Sequence, residues 1–294
     1  SRWSNGIWVS ANSNIKTFTN TGSIQGFNSG VMVRERGTID NLTNKGTIKS
    51  TGTIQPSTTI LVSSGIYFYI NTIKTLDNEG LISGIMGLNL VAATIDNLTN
   101  KGTIESTGGK NNLVAAINLM TSDGDPSYIK TFANEGVIKS NYQGILAEAG
   151  NKIDTLINKG TIEAGLNGIS FYYYNDEISG NQVNLGNIIL ESGSSIKAGN
   201  NGINIDGTSN KPITVSGSIE VKKDASVSGN NAGIVIGSGK KVNAQIKISG
   251  SVTGGAAGIV NEGTIGSSSE DSSTGGIVVS GGSISSSSGG SGIV

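Results

Sequence analysis

Apolar positions along this chain repeat on two scales. Locally they alternate with polar ones, as in Ile203-Asn204-Ile205 and Ile246-Lys247-Ile248, the period-two pattern of half-buried strands rich in β-branched residues. The 3.6-residue period of an amphipathic helix is absent. On the longer scale, a ten-residue pattern, Ile-x-x-(Leu/Phe)-x-Asn-x-Gly-x-Ile, begins at Ile15, Ile39, Ile73, Ile95, Ile129 and Ile153, with spacings of 24, 34, 22, 34 and 24 residues. Thr38–Gly52 and Thr94–Gly108 agree at 14 of 15 positions at an offset of 56, and the segment from Ile73 matches that from Ile129 at the same offset. The duplicated unit is therefore two repeats.

A second signature, Gly followed by an apolar strand, accompanies each repeat: Gly30-Val31-Met32-Val33, Gly65-Ile66-Tyr67-Phe68, Gly144-Ile145-Leu146 and Gly168-Ile169-Ser170-Phe171. Beyond about residue 180 the first signature decays, while the second persists at Gly202-Ile203, Gly233-Ile234, Gly258-Ile259 and Gly292-Ile293. Repetition at this period defines a solenoid before any local propensity is weighed. The expected fold is all-β, a right-handed parallel β-helix of about ten coils, each of about 22–34 residues with three short strands. Coils spaced by roughly 4.8 Å give a rod of roughly 45–50 Å. One β-helical segment is expected over residues 1–294: a cap or incomplete coil at 1–14, regular coils at 15–175 and degenerate Gly/Ser-rich coils at 176–294.

The repeated Asn (Asn20, Asn44, Asn78, Asn100, Asn134, Asn158) is read as scaffold, because Asn suits turns and stacked Asn side chains form amide ladders. The Gly two residues later supplies either positive φ or close approach at the same corner. Lys16, Asp40, Lys74, Asp96, Lys130 and Asp154 alternate in sign from coil to coil, which predicts cross-strand pairing on a solvated face.

Composition narrows the chemistry. There is no Cys and no His in 294 residues, which removes disulfides, thiol nucleophiles, His-dependent triads and imidazole metal sites. Twenty basic against 21 acidic residues leave a net charge of −1 and no electrostatic pull toward nucleic acid or an anionic membrane. No apolar run reaches the length of a membrane-spanning helix. Ser1-Arg2-Trp3-Ser4 is not a signal peptide, so an exported form would have lost its targeting segment.

Candidate binding residues are few. Seven aromatic residues fall in Tyr67-Phe68-Tyr69 and Phe171-Tyr172-Tyr173-Tyr174. If Ile66, Phe68 and Ile70 face inward, Tyr67 and Tyr69 face out, and the same alternation exposes Tyr172 and Tyr174, ready for protein or carbohydrate contact. Equally, these rings could cover a loop or an end of the helix. Asp123-Gly124-Asp125-Pro126 resembles a loose Ca²⁺ loop, but a plain turn is the better reading, and Asn175-Asp176-Glu177 is no stronger. Trp3 and Trp8 are expected to cap the first coil. No metal, cofactor or catalytic residue is expected.

Ile39-Asp-Asn-Leu-Thr-Asn-Lys-Gly-Thr-Ile48 and Ile153-Asp-Thr-Leu-Ile-Asn-Lys-Gly-Thr-Ile162 resemble passenger-domain repeats of bacterial type V autotransporters, above all repeat-rich and vacuolating-toxin-like passengers. The resemblance is clear over residues 15–165 and weak beyond. It implies export through an outer-membrane β-barrel translocator and display at the bacterial cell surface, with the chain being a fragment that lacks the barrel. The function it implies is an adhesin or interaction scaffold for a host surface protein or glycan, or for another copy of itself. A toxin-like passenger with a receptor-binding β-helix is the alternative. A polysaccharide lyase or hydrolase ranks lower, since the acidic residues are isolated rather than clustered.

Overall fold

The computed structural model describes residues 4–10, 13–53, 63–109, 114–148, 150–172, 183–206, 213–266 and 275–294, with the side chains of 172, 183 and 184 excepted. The described residues contain only strands and turns, arranged in three parallel sheets. The chain visits the sheets in turn, and each strand pairs with its equivalent one coil further on, so the molecule is a parallel β-helix with three strands per coil. Parallel crossovers of this kind are right-handed in nearly all proteins.

The first sheet carries the Gly-Ile signature in 11 strands, from Asn5–Val9 to Ser291–Ile293. The second carries the Asn signature in 13 strands and begins at Asn14–Asn20. The third has 10 short strands, from Ser23–Gly26 to Ser283–Ser286. Inward side chains stack like on like. Ile48, Ile82, Ile104, Ile138, Ile162 and Ile196 pair in consecutive register on the third sheet and are all 0% exposed. Burying each Ile contributes about 1.5–3 kcal/mol, and one continuous apolar core runs from Val9 to Ile259.

The Asn column is an unbroken amide ladder. Each Nδ2 donates to the next Oδ1, from Asn20 through Asn44, Asn78, Asn100 and Asn134 to Asn158, at 2.8, 2.7, 2.8, 2.8 and 2.7 Å. Nδ2 also reaches a backbone carbonyl of the next coil, as from Asn100 to Val137 at 3.1 Å. These amides are buried, so the ladder satisfies groups that would otherwise be costly to enclose. Above Asn158 the column becomes aliphatic, through Leu190, Val221, Ile248 and Val279.

The neighbouring Gly column is required by close approach and not by left-handed backbone. A Cβ on Gly46, Gly80, Gly102, Gly136 or Gly160 would lie 2.0 or 2.1 Å from the carbonyl oxygen of the Gly one coil below, whereas Gly22, in the lowest of these coils, has open space. In the regular coils positive φ occurs at a different corner, where Glu35, Ile70 and Ala92 follow the Gly-Ile strands, while in the upper coils Gly193, Asp224 and Gly281 adopt it at the corner into the third sheet. Ile70 therefore departs from the expected inward strand position: the strand ends at Tyr69, and Ile70 turns the corner with φ 54.

Val183–Leu190 marks a change of cross-section. It pairs on its upper side with two separate strands, Ile213–Val215 and Ile219–Val221, so the second sheet forks into two columns above it.

Candidate functional site

The outer faces of the three sheets differ. On the first, the outward column Met32, Tyr67, Asn89, Asn118, Leu146 and Ser170 is no more than 5% exposed, so this face is sealed over those coils. Tyr67 does point away from the core, but it lies buried against Met32 and Val91 and stacks on the half-buried Tyr69, with ring centroids 6.3 Å apart. The expected exposure of Tyr67 is thus not what the fold provides; its ring belongs to a small second apolar cluster. The Arg34 guanidinium sits 5.2 Å above the Tyr69 ring, a cation–π contact. Burial pushes the Tyr67 phenol up to about 12, against the opposing pull of Arg34. Tyr172 closes the strand Ile169–Tyr172 in register with Glu148, while Tyr174 lies outside the described residues. On this same face Glu148 Oε1 is sealed from solvent without a hydrogen-bond partner among the described residues, and burial pushes the carboxyl up to about 7.

The second sheet's face is solvated and charged. Lys74 pairs with Asp40 at 3.0 Å, and Lys130 pairs with Asp96, as the alternating column predicts. Asp154 departs from it by pairing with Lys152 of its own strand at 2.8 Å and accepting from the Tyr128 hydroxyl. Desolvation alone would raise the Asp154 carboxyl, but those bonds hold it below its ordinary value. A second alternating column follows the Asn corner, where Lys45 meets Glu79 at 3.5 Å, Lys159 meets Glu135 at 2.9 Å and Lys222 meets Glu191 at 2.7 Å. On the third sheet, Glu105, Lys139, Glu163 and Lys197 stand in consecutive register.

That charge column stops at Lys197. Above it the same sheet presents two columns of hydroxyls, Ser226, Ser251 and Ser283 beside Ser228, Thr253 and Ser285. Next to them, at the corner leading into this sheet, lies an open groove of about 400 Å³ lined chiefly by Lys223, Asp224, Ser249, Gly250, Gly281 and Gly282. Polar groups from three coils converge on it, and no motif points to it because the corners here have lost the Asn-x-Gly signature. Connection lengths in the sequence hold the signal.

No family model, curated protein or solved structure matches this chain.

The remaining sequence candidates resolve simply. Asp123 and Gly124 are the two central residues of a tight turn with φ 51 and 86, closed by reciprocal backbone bonds between Ser122 and Asp125. Trp8 stands in register with Met32 and is 63% exposed, so it does not cap the core, and Trp3 and Asn175-Asp176-Glu177 lie outside the described residues. Among the described residues no three Asp or Glu side chains come together as a metal site would need. Lys240, unremarked in the sequence, is 1% exposed; burial lowers its pKa and Asp206 opposes that shift.

Proposed function

We propose that this chain is a non-catalytic interaction scaffold displayed outside the cell, of the autotransporter-passenger kind, which adheres to a host protein or glycan or to another copy of itself. The observation that carries the reading is the division of labour across the surface. The backbone is consumed in stacking, one sheet face is sealed, and the two remaining faces present polar side chains in straight columns along a rigid axis. Such columns repeat a short chemical pattern, alternating charges or hydroxyls, at a fixed interval, which suits extended or multivalent partners. Net charge near zero argues against a mainly electrostatic partner such as nucleic acid.

The test is solid-phase binding of the purified chain to immobilised matrix proteins and glycans, with sedimentation velocity to detect self-association. Saturable binding to a target, or a concentration-dependent oligomer, supports the scaffold. A chain that remains monomeric and binds nothing removes it.

A further inference from the structure

The corner that opens the third sheet changes length from coil to coil. Between Ile219–Val221 and Ser226–Gly229 it spans residues 222–225; between Gln245–Ile248 and Ser251–Gly254 it spans only 249–250; between Gly276–Val279 and Ser283–Ser286 it spans 280–282. A short corner lies between two longer ones, so its coil is recessed. Ser249 and Gly250 become the floor of a slot, Lys223 and Asp224 form one wall, and Gly281 and Gly282 form the other. Wall to wall, two coil repeats amount to roughly 10 Å. The slot runs parallel to the strands and opens onto the hydroxyl columns of the third sheet.

We propose that this slot binds an uncharged oligosaccharide lying along the strand direction. The assignment deepens the scaffold reading and rests on it. The floor and rim backbone N–H groups are already used in stacking, as from Ser249 and Gly250 to Val221 at 2.7 and 3.0 Å, and from Ser251 to Ala225 at 2.9 Å. An extended peptide seeking strand-like pairing finds no free ladder there. What faces the ligand is side-chain chemistry. Hydroxyls both donate and accept, which matches partners that do the same, and sugar hydroxyls are such groups. Lys223 and Asp224 are exposed and, among the described residues, form no ion pair, so they supply one donor set and one acceptor set that cancel in charge. Beyond the floor, Ser251 contacts Thr253 at 3.4 Å and Ser283 at 3.5 Å, and Thr253 contacts Ser285 at 3.3 Å. The polar track therefore continues for a chain of several sugars. No aromatic platform lines the slot, so each site is weak, and a repeating polymer gains most from it.

The experiment is biolayer interferometry of the full chain on immobilised neutral hexasaccharides of glucose, galactose, mannose and N-acetylglucosamine, with a heparin hexasaccharide and matrix proteins alongside. Ser249→Trp fills the slot from its floor, and a Lys223→Ala/Asp224→Asn double variant strips one wall while keeping a residue that tolerates the positive φ of Asp224. Saturable binding to a neutral hexasaccharide, weakened at least tenfold by either variant at unchanged melting temperature, is expected. If Ser249→Trp misfolds, the double variant decides. Neutral sugar binding that survives a folded variant unchanged overturns the slot assignment. So does binding confined to heparin or matrix protein, although the scaffold reading then stands. Failure to bind any of them, without self-association, overturns both.

Discussion

At Gly102 a methyl group would lie 2.1 Å from the carbonyl oxygen of Gly80, while at Gly22 the same methyl meets nothing within 4 Å. Gly102→Ala should therefore cost about 1–3 kcal/mol through overpacking, and Gly22→Ala should stay within about 0.5 kcal/mol; urea denaturation of the two variants checks the contrast. The amide ladder behaves in the same graded way. Asn100 gives one ladder bond and receives another, whereas Asn20, at the lower end, is joined to one neighbour only. Asn100→Ala should cost about 1–3 kcal/mol for each buried amide it orphans, and Asn20→Ala should cost less. Glu148 carries a pH dependence of the opposite sign to a salt-bridged carboxylate. Its carboxyl holds a proton more tightly folded than unfolded, so its contribution is complete below about pH 4.5 and is lost as pH rises to about 7. Between pH 5 and pH 8 the wild type should lose up to about 3 kcal/mol. Glu148→Gln should flatten that dependence in denaturation curves recorded at both pH values.

At the scale of the strand, the sequence signatures and the strands coincide closely. The ten-residue motif lies within a seven-residue strand, a two-residue corner and a four-residue strand, as Ile39–Ile48 lies within Thr38–Asn44 and Thr47–Ser50. This much is legible because every residue in the motif answers to the coil above and below it, so its chemistry recurs. Exposure was harder to read. Period-two alternation correctly turns Tyr67 away from the core, but it carries no information about whether a second layer seals that face. The slot has no motif at all, since it arises from a difference between three connection lengths. Charge columns give strands their register without adding much stability, because exposed pairs contribute about 0–1 kcal/mol each. Lys130→Glu would place a carboxylate between Asp96 and Asp154. It should destabilise by a few tenths to about 1 kcal/mol in low salt, with the loss fading in 1 M salt as the charges are screened; thermal melts at two ionic strengths decide.

At the scale of the whole molecule, coils touch only their neighbours, so stability accumulates along one dimension and opening starts from the ends. Hydrogen exchange should show the slowest amides in the ladder-bearing coils between Ile73 and Ile153. Slow amides confined to a terminal coil would contradict this. The coils above Val183–Leu190 lack the amide ladder yet keep the aliphatic stack, which explains why the rod persists where the motif fades.

The open space at Gly22, set against the occupied space at Gly46, Gly80, Gly102, Gly136 and Gly160 above it in the same column, has an evolutionary consequence. A coil makes sense only on top of another coil, and its environment is the same wherever in the stack it is placed. Duplication of the 56-residue pair therefore adds a block that fits at once, lengthening the rod by about 10 Å. Deletion of a pair shortens it with equal ease. Reach can thus be tuned in whole increments by unequal recombination, while the recessed corner is carried along with its own residues untouched.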